Sequence, residues 1–199
     1  MQFQFNGIYY FISNTQMIVG AFVLLLLIAI AIAAYMEQRK TKSLALRSRF
    51  GTEYDREVLK HESPRRAEAK LADREAHVKT LKIRDLGAAE RERFMTEWYT
   101  VQSRFVDHPK SAVTEADDLI NALLEMRGYP QSSFEQRADD VSVSYPRVME
   151  DYRVAHAIAV RLGRVDATTE ELRTAIVKYR TVFDELVQPQ PAHYAMVTA

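Results

Sequence analysis

The sequence predicts an all-α protein with one membrane-spanning helix near its N-terminus, and three observations support this. Residues 17–36 form an uncharged apolar run. Beyond it, apolar residues recur at helical spacing in segment after segment. No stretch of useful length alternates polar and apolar residues as a half-buried strand does; Val141-Ser142-Val143-Ser144 alternates but is too short to found a sheet.

The apolar run reads MIVGAFVLLLLIAIAIAAYM. At about 1.5 Å per residue, a helix of that length reaches roughly 30 Å, the thickness of a hydrocarbon core. Eleven of its residues are Leu, Ile, Val or Phe. Each favours insertion by roughly 0.3–0.6 kcal/mol at the bilayer centre, about 3–7 kcal/mol together. Tyr9, Tyr10 and Phe11 precede the run and Tyr35 closes it, as interfacial aromatic belts do. Ala31-Ile32-Ala33 has the form of a cleavage site, but the sixteen residues before the run contain no Lys or Arg. A signal peptide needs a basic region there. An uncleaved anchor is therefore expected.

Net charge is zero, but unevenly spread: residues 37–82 carry thirteen Lys/Arg against eight Asp/Glu, and residues 83–199 carry fourteen against nineteen. Arg39, Lys40, Lys42, Arg47 and Arg49 follow the run closely. The positive-inside rule then places residues 1–16 outside and the large C-terminal domain in the cytoplasm, at a bacterial inner membrane. The same five side chains are candidates for contact with lipid headgroups, worth about 1 kcal/mol each near an anionic surface. The acidic balance of the distal half argues against a nucleic-acid partner, because phosphate contact needs a basic surface. The chain has no cysteine, which excludes disulfides, thiolate metal sites and thiol nucleophiles.

Residues 37–83 read as a basic juxtamembrane stretch and two connector helices. The first runs from Glu53 to about Lys60 and is stopped by Ser63-Pro64; the second ends near Lys82 and has a thin stripe of Ala67, Leu71, Val78 and Leu81. Residues 84–187 read as a compact helical bundle. In the helix from about Ala88 to Val106, Phe94, Trp98, Val101 and Phe105 share a face. Pro109 opens a helix to Arg127, which Gly128 and Pro130 terminate. Ser132 and Glu135 form a capping box for a short helix through Asp140. Pro146 opens the next helix, which ends at Gly163. Thr168 and Glu171 cap the last one, with Leu172, Ile176, Tyr179, Phe183 and Leu186 on one face. The tail, residues 188–199, is expected to be disordered.

No catalytic, cofactor-binding or metal-binding constellation emerges. His61, His77, His108, His156 and His193 do not pair at ligand spacing, and His156 reads as a packed, hydrogen-bonded residue. The clusters Glu115-Asp117-Asp118 and Asp139-Asp140 lack the Glu-x-x-His partners of a di-metal bundle. There is no nucleophile elbow and no phosphate-cradling glycine loop. The stripe Phe94, Trp98, Phe105 reads as core, with the wall of a ligand cavity as its alternative. Arg127, Tyr129, Pro130, Glu135 and Arg137 crowd one segment and form a candidate partner surface.

Four strings carry a resemblance: RFGTEYDREV at 49–58, RERFMTEWYTVQSRFVDHPKSAVTEADDLI at 91–120, RGYPQSSFEQRADDVSVSYPRVMEDYRVAHAIAVR at 127–161 and ATTEELRTAIVKYRTVFDEL at 167–186. They resemble a widespread, uncharacterised bacterial family of short single-pass membrane proteins with a C-terminal helical domain. The resemblance implies bacterial origin and the topology above, and brings no activity or catalytic residue. Gly87-Ala88 departs from it where a capping serine and a proline would stand. The expected function is non-enzymatic: a membrane-tethered scaffold that binds a protein partner or itself. The alternative is a bundle that binds a small ligand or lipid.

Overall fold

A computed structural model describes residues 3–5, 8–10, 14–162 and 167–189, with side chains from residue 17 onward. The chain forms two compact units, Met1–Ala45 and Leu46–Ala199.

In the first unit, β1 (Phe3–Phe5) and β2 (Ile8–Tyr10) pair antiparallel, with Phe5 opposite Ile8. Hydropathy gives no hint of this hairpin. The local signal is chemical: aromatic and branched residues flank Asn6-Gly7, the dipeptide that most favours a two-residue hairpin connection. Asn6 and Gly7 themselves lie outside the described residues. Helix α1 runs Asn14–Phe50. Among the described helices it alone is long and apolar enough to cross a membrane, and its apolar stretch is entirely unburied. The helix continues well past the apolar run, because Glu, Gln, Lys, Arg, Ala and Leu all favour helix. Gly51, at φ 53°, then breaks it.

The second unit contains α2 (Thr52–His61), α3 (Pro64–Thr80), α4 (Ala88–Arg104), α5 (Pro109–Met126), α6 (Phe134–Ser144), a 3-10 turn (Pro146–Val148), α7 (Met149–Leu162) and α8 (Thr169–Val187). The fold is all-α here, as the sequence predicts. Pro64 and Pro109 sit in first helical turns, where a missing N–H costs nothing. Thr168 and Glu171 cap each other reciprocally at α8. At α4 the N-cap Gly87 has no side chain to cap with, and Glu90 supplies the N3 half of the box, accepting the Gly87 N–H at 2.8 Å. Gly128 has φ 96°, and a Cβ there would come within 2.4 Å of the Lys82 carbonyl oxygen.

Helix α8 is the centre of the core and packs most extensively on α7 and α5. Leu172, Ile176, Tyr179, Phe183 and Leu186 are buried along it. The Trp98 indole lies on Phe183, with centroids 4.9 Å apart and planes at 12°. The aromatic stripe of α4 is therefore packed core.

Three expectations need correction. The α2–α3 pair, expected as connector helices, does pack through the thin stripe of α3, but within the same compact unit as the bundle. Ala67, Leu71 and Val78 are fully buried, and Phe50, Tyr54, Leu71, Val78 and Val143 form a second apolar cluster. Helix α6 extends four residues beyond Asp140, because Val141 to Ser144 are buried on all sides and so show no amphipathic period. Its N-cap is Ser133, which accepts from Gln136 N, rather than Ser132. Pro146 opens only the 3-10 turn, and α7 starts at Met149. Gly163 and residues 190–199, expected respectively as a helix end and as disorder, lie outside the described residues.

Trp98 is 2% exposed. Trp98→Ala should therefore destabilise the protein by roughly 3–5 kcal/mol, as large-to-small core changes do. Chemical denaturation of the full chain in detergent, followed by circular dichroism, measures this; an unchanged midpoint would refute the packing of α4 on α8.

Candidate functional site

The stripe of α3 continues through a charge. Ala67, Leu71, Arg74 and Val78 fall at offsets 0, 4, 7 and 11, so a guanidinium occupies a core position. On α2, Glu53 and Glu57 face the same way, i and i+4. Arg74 Nη2 reaches Glu57 Oε1 at 2.6 Å and Asp139 Oδ1 at 2.7 Å. Arg153 of α7 grips Glu53 through Nη2 at 2.8 Å and Nε at 3.4 Å. Asp140, fully buried, accepts from Gln136 Nε2 at 2.9 Å and lies 3.7 Å from His77 Nε2. His61 Nε2 lies 3.2 Å from Glu57. Two guanidiniums thus meet three carboxylates, Glu53, Glu57 and Asp139, with Asp140 beside them and two histidines at the margin.

Burial acts first on these acids. It pushes the Asp139 carboxyl up against the pull of Arg74, and the Asp140 carboxyl up against the Gln136 hydrogen bond. Burial lowers the Arg153 guanidinium, but Glu53 outweighs it and the net direction is upward.

A second polar group lies alongside. Asp117 Oδ1 contacts His156 Nδ1 at 2.9 Å and accepts the Tyr179 hydroxyl at 2.6 Å. Burial raises the Asp117 carboxyl, yet these hydrogen bonds hold it below the usual carboxylate range. The Phe134 ring stacks on His156, centroids 3.7 Å apart and planes at 6°. Arg137 Nη1 donates to Asn121 Oδ1, which also accepts from Tyr152 at 3.3 Å. Burial pushes the Tyr152 hydroxyl up to about 12.

Two grooves open at the surface on either side of the segment that starts α6. One, of about 520 Å³, is lined by Asp118, Asn121, Glu125, Tyr129, Pro130 and Arg137 among others. The other, of about 530 Å³, is lined by Arg56, Phe134, Glu135, Arg153, His156, Ala157, Val160 and Arg161. Among the described residues, no three His, Asp or Glu converge as metal ligands.

The structure distributes the sequence-derived candidates unevenly. Pro130 and Arg137 line the first groove and Glu135 the second. Tyr129 also borders the first groove, but is 2% exposed. Arg127 is completely buried, which corrects its place on a partner surface. It donates from Nη1 to the carbonyls of Leu186 at 2.6 Å and Gln188 at 3.0 Å, and from Nη2 to Asp85 at 2.8 Å. It therefore satisfies the orphan carbonyls at the end of α8. Of the juxtamembrane cations, Arg47 pairs with Asp55 and Arg49 with Glu75, whereas Arg39 lies over the Tyr35 ring. Lys40 and Lys42 are exposed. Glu53, Glu57, Arg74 and Arg153 are not legible as site residues in the sequence: their helical spacing fits an inward face, but their charge resembles that of solvent-facing residues.

No family model, no curated protein and no solved structure matches the chain.

Two outcomes follow from these environments. Arg127→Ala should destabilise by about 2–4 kcal/mol, because it empties a buried position and strips donors from the last carbonyls of α8. Denaturation in detergent tests it, and a surface-like change near zero would contradict the clamp. For Asp140, a folded value above the unfolded one means its contribution is complete below about pH 4 and is lost as pH rises through the folded value. Asp140→Asn should therefore raise the melting temperature at pH 7.5 by a few degrees, with the gain vanishing towards pH 4. A lower melting temperature at pH 7.5 would show that the ionised carboxylate is the stabilising form.

Proposed function

We propose that the protein is a membrane-anchored, non-enzymatic interaction module of a bacterial inner membrane. On this reading residues 1–16 lie outside, the helical unit lies in the cytoplasm, and the module engages a protein partner. The observation that carries it is the ridge around Pro130, Glu135 and Arg137, bordered by a groove on each side, in a chain whose α1 is long, apolar and unburied. Five basic residues after the apolar run and none before it support the orientation. The resemblance to short single-pass bacterial membrane proteins fits this reading. Self-association through the stripe of α3 receives no support, because Ala67, Leu71 and Val78 are already buried within the chain.

Orientation is tested with fusions after Ala199. Alkaline phosphatase should be inactive there and a fluorescent protein bright. An active phosphatase, or a chain released from the membrane with a new N-terminus near Ala34, would instead identify Ala31-Ile32-Ala33 as a cleavage signal.

Partner docking is tested by photo-crosslinking from the exposed Gln131, with the exposed Glu92 as control. A discrete adduct should form from position 131 and not from 92. Equal labelling from both positions, or none from 131, would remove the ridge as the docking surface.

A further inference from the structure

The groove between α6 and α7 is chemically distinct from the acidic unit around it. Three guanidiniums line it, those of Arg56, Arg153 and Arg161, against the single carboxylate of Glu135. Arg161 is paired with Glu171. Arg153 is 8% exposed and uses Nη2 and Nε on Glu53, while its Nη1 is buried and makes no hydrogen bond. Nη1 faces Glu135 Oε2 at 3.6 Å, on a side chain that is 70% exposed. A buried cationic N–H without an acceptor is costly, and a loosely held surface carboxylate is a weak substitute. His156 lines the same groove with Nδ1 committed to Asp117, which leaves Nε2 for a ligand. Phe134, Ala157 and the half-exposed Val160 supply apolar wall.

We propose that this groove binds a phosphate monoester carried on an aliphatic chain. The phosphate takes the hydrogen bond of Arg153 Nη1, displaces Glu135 and pairs with Arg56. A phosphate monoester suits His156 in particular, because it presents both P–O⁻ and P–OH. It can accept from a protonated Nε2 or donate to a neutral one. The aliphatic chain lies along Phe134, Ala157 and Val160. This ligand class has two sources, a soluble alkyl phosphate or the headgroup of a phosphatidic-acid-like lipid.

The test uses the full chain in phosphatidylcholine nanodiscs, titrated calorimetrically with hexyl phosphate, inorganic phosphate and hexanol. Burial of about two methylenes predicts a Kd for hexyl phosphate about tenfold below that for inorganic phosphate, and hexanol should not bind. Arg56 and Glu135 are exposed, so variants there should keep the fold; unchanged circular dichroism and melting confirm this. Arg56→Ser should weaken hexyl phosphate binding several-fold, whereas Glu135→Gln should tighten it by removing the competing carboxylate. Val160→Asp should weaken hexyl phosphate more than inorganic phosphate. Repeating the titration with phosphatidic acid in the disc separates the sources: a raised apparent Kd identifies the lipid headgroup, and an unchanged one a soluble phosphate monoester. Equal affinity for hexyl and inorganic phosphate would overturn the proposal. So would indifference to both Arg56→Ser and Glu135→Gln, or binding confined to an acidic peptide probe such as tetraglutamate.

Discussion

Two arginines buried at core positions constrain much of the second unit. Arg74 and Arg153 cannot be left unpaired inside the protein, because an isolated buried charge costs several kcal/mol even after relaxation. Their carboxylates come from other helices: Glu53 and Glu57 from α2, Asp139 from α6. The α2–α3 pair can satisfy its own polar groups only where α6 and α7 also present theirs. Apolar contact alone, through Phe50, Tyr54, Leu71, Val78 and Val143, would tolerate small slides. The ion pairs specify one register, and Asp140 with His77 extends the polar seam along α6.

The same logic closes the other end of the bundle. Helix α8 ends at Val187 without a glycine cap, and its last carbonyls need donors. Arg127 supplies them from the end of α5 and holds Asp85 at the same time; Arg91 adds a bond to the Val187 carbonyl at 3.1 Å. Gly128 then turns the chain away where Lys82 leaves no room for a side chain. The segment from Tyr129 to Glu135 follows from this arrangement. Tyr129 anchors one end in the interior, Phe134 stacks on His156 near the other, and the two grooves flank the segment. Arg153, which holds Glu53 in the seam and also lines the basic groove, carries the seam of α2 and α7 to that groove.

The sequence by itself determined the apolar helix, the number and most boundaries of the bundle helices, and the inward face of α4 and α8. Those features are local: an insertion run, a 3.6-residue period, a proline in a first turn, a Thr-x-x-Glu cap. Only the tertiary structure decided that charge could face inward. Glu53, Glu57, Arg74 and Arg153 look like solvent residues because the cost of burying each is cancelled only by a partner up to a hundred positions away. Sequence spacing cannot show such a partner. For the same reason Arg127 passed as a surface contact, α6 lost its last turn to an absent period, and α2–α3 passed as a connector. The basic groove was also beyond reach, because Arg56, Glu135, Arg153 and His156 lie on three helices that converge only when the seam between them closes.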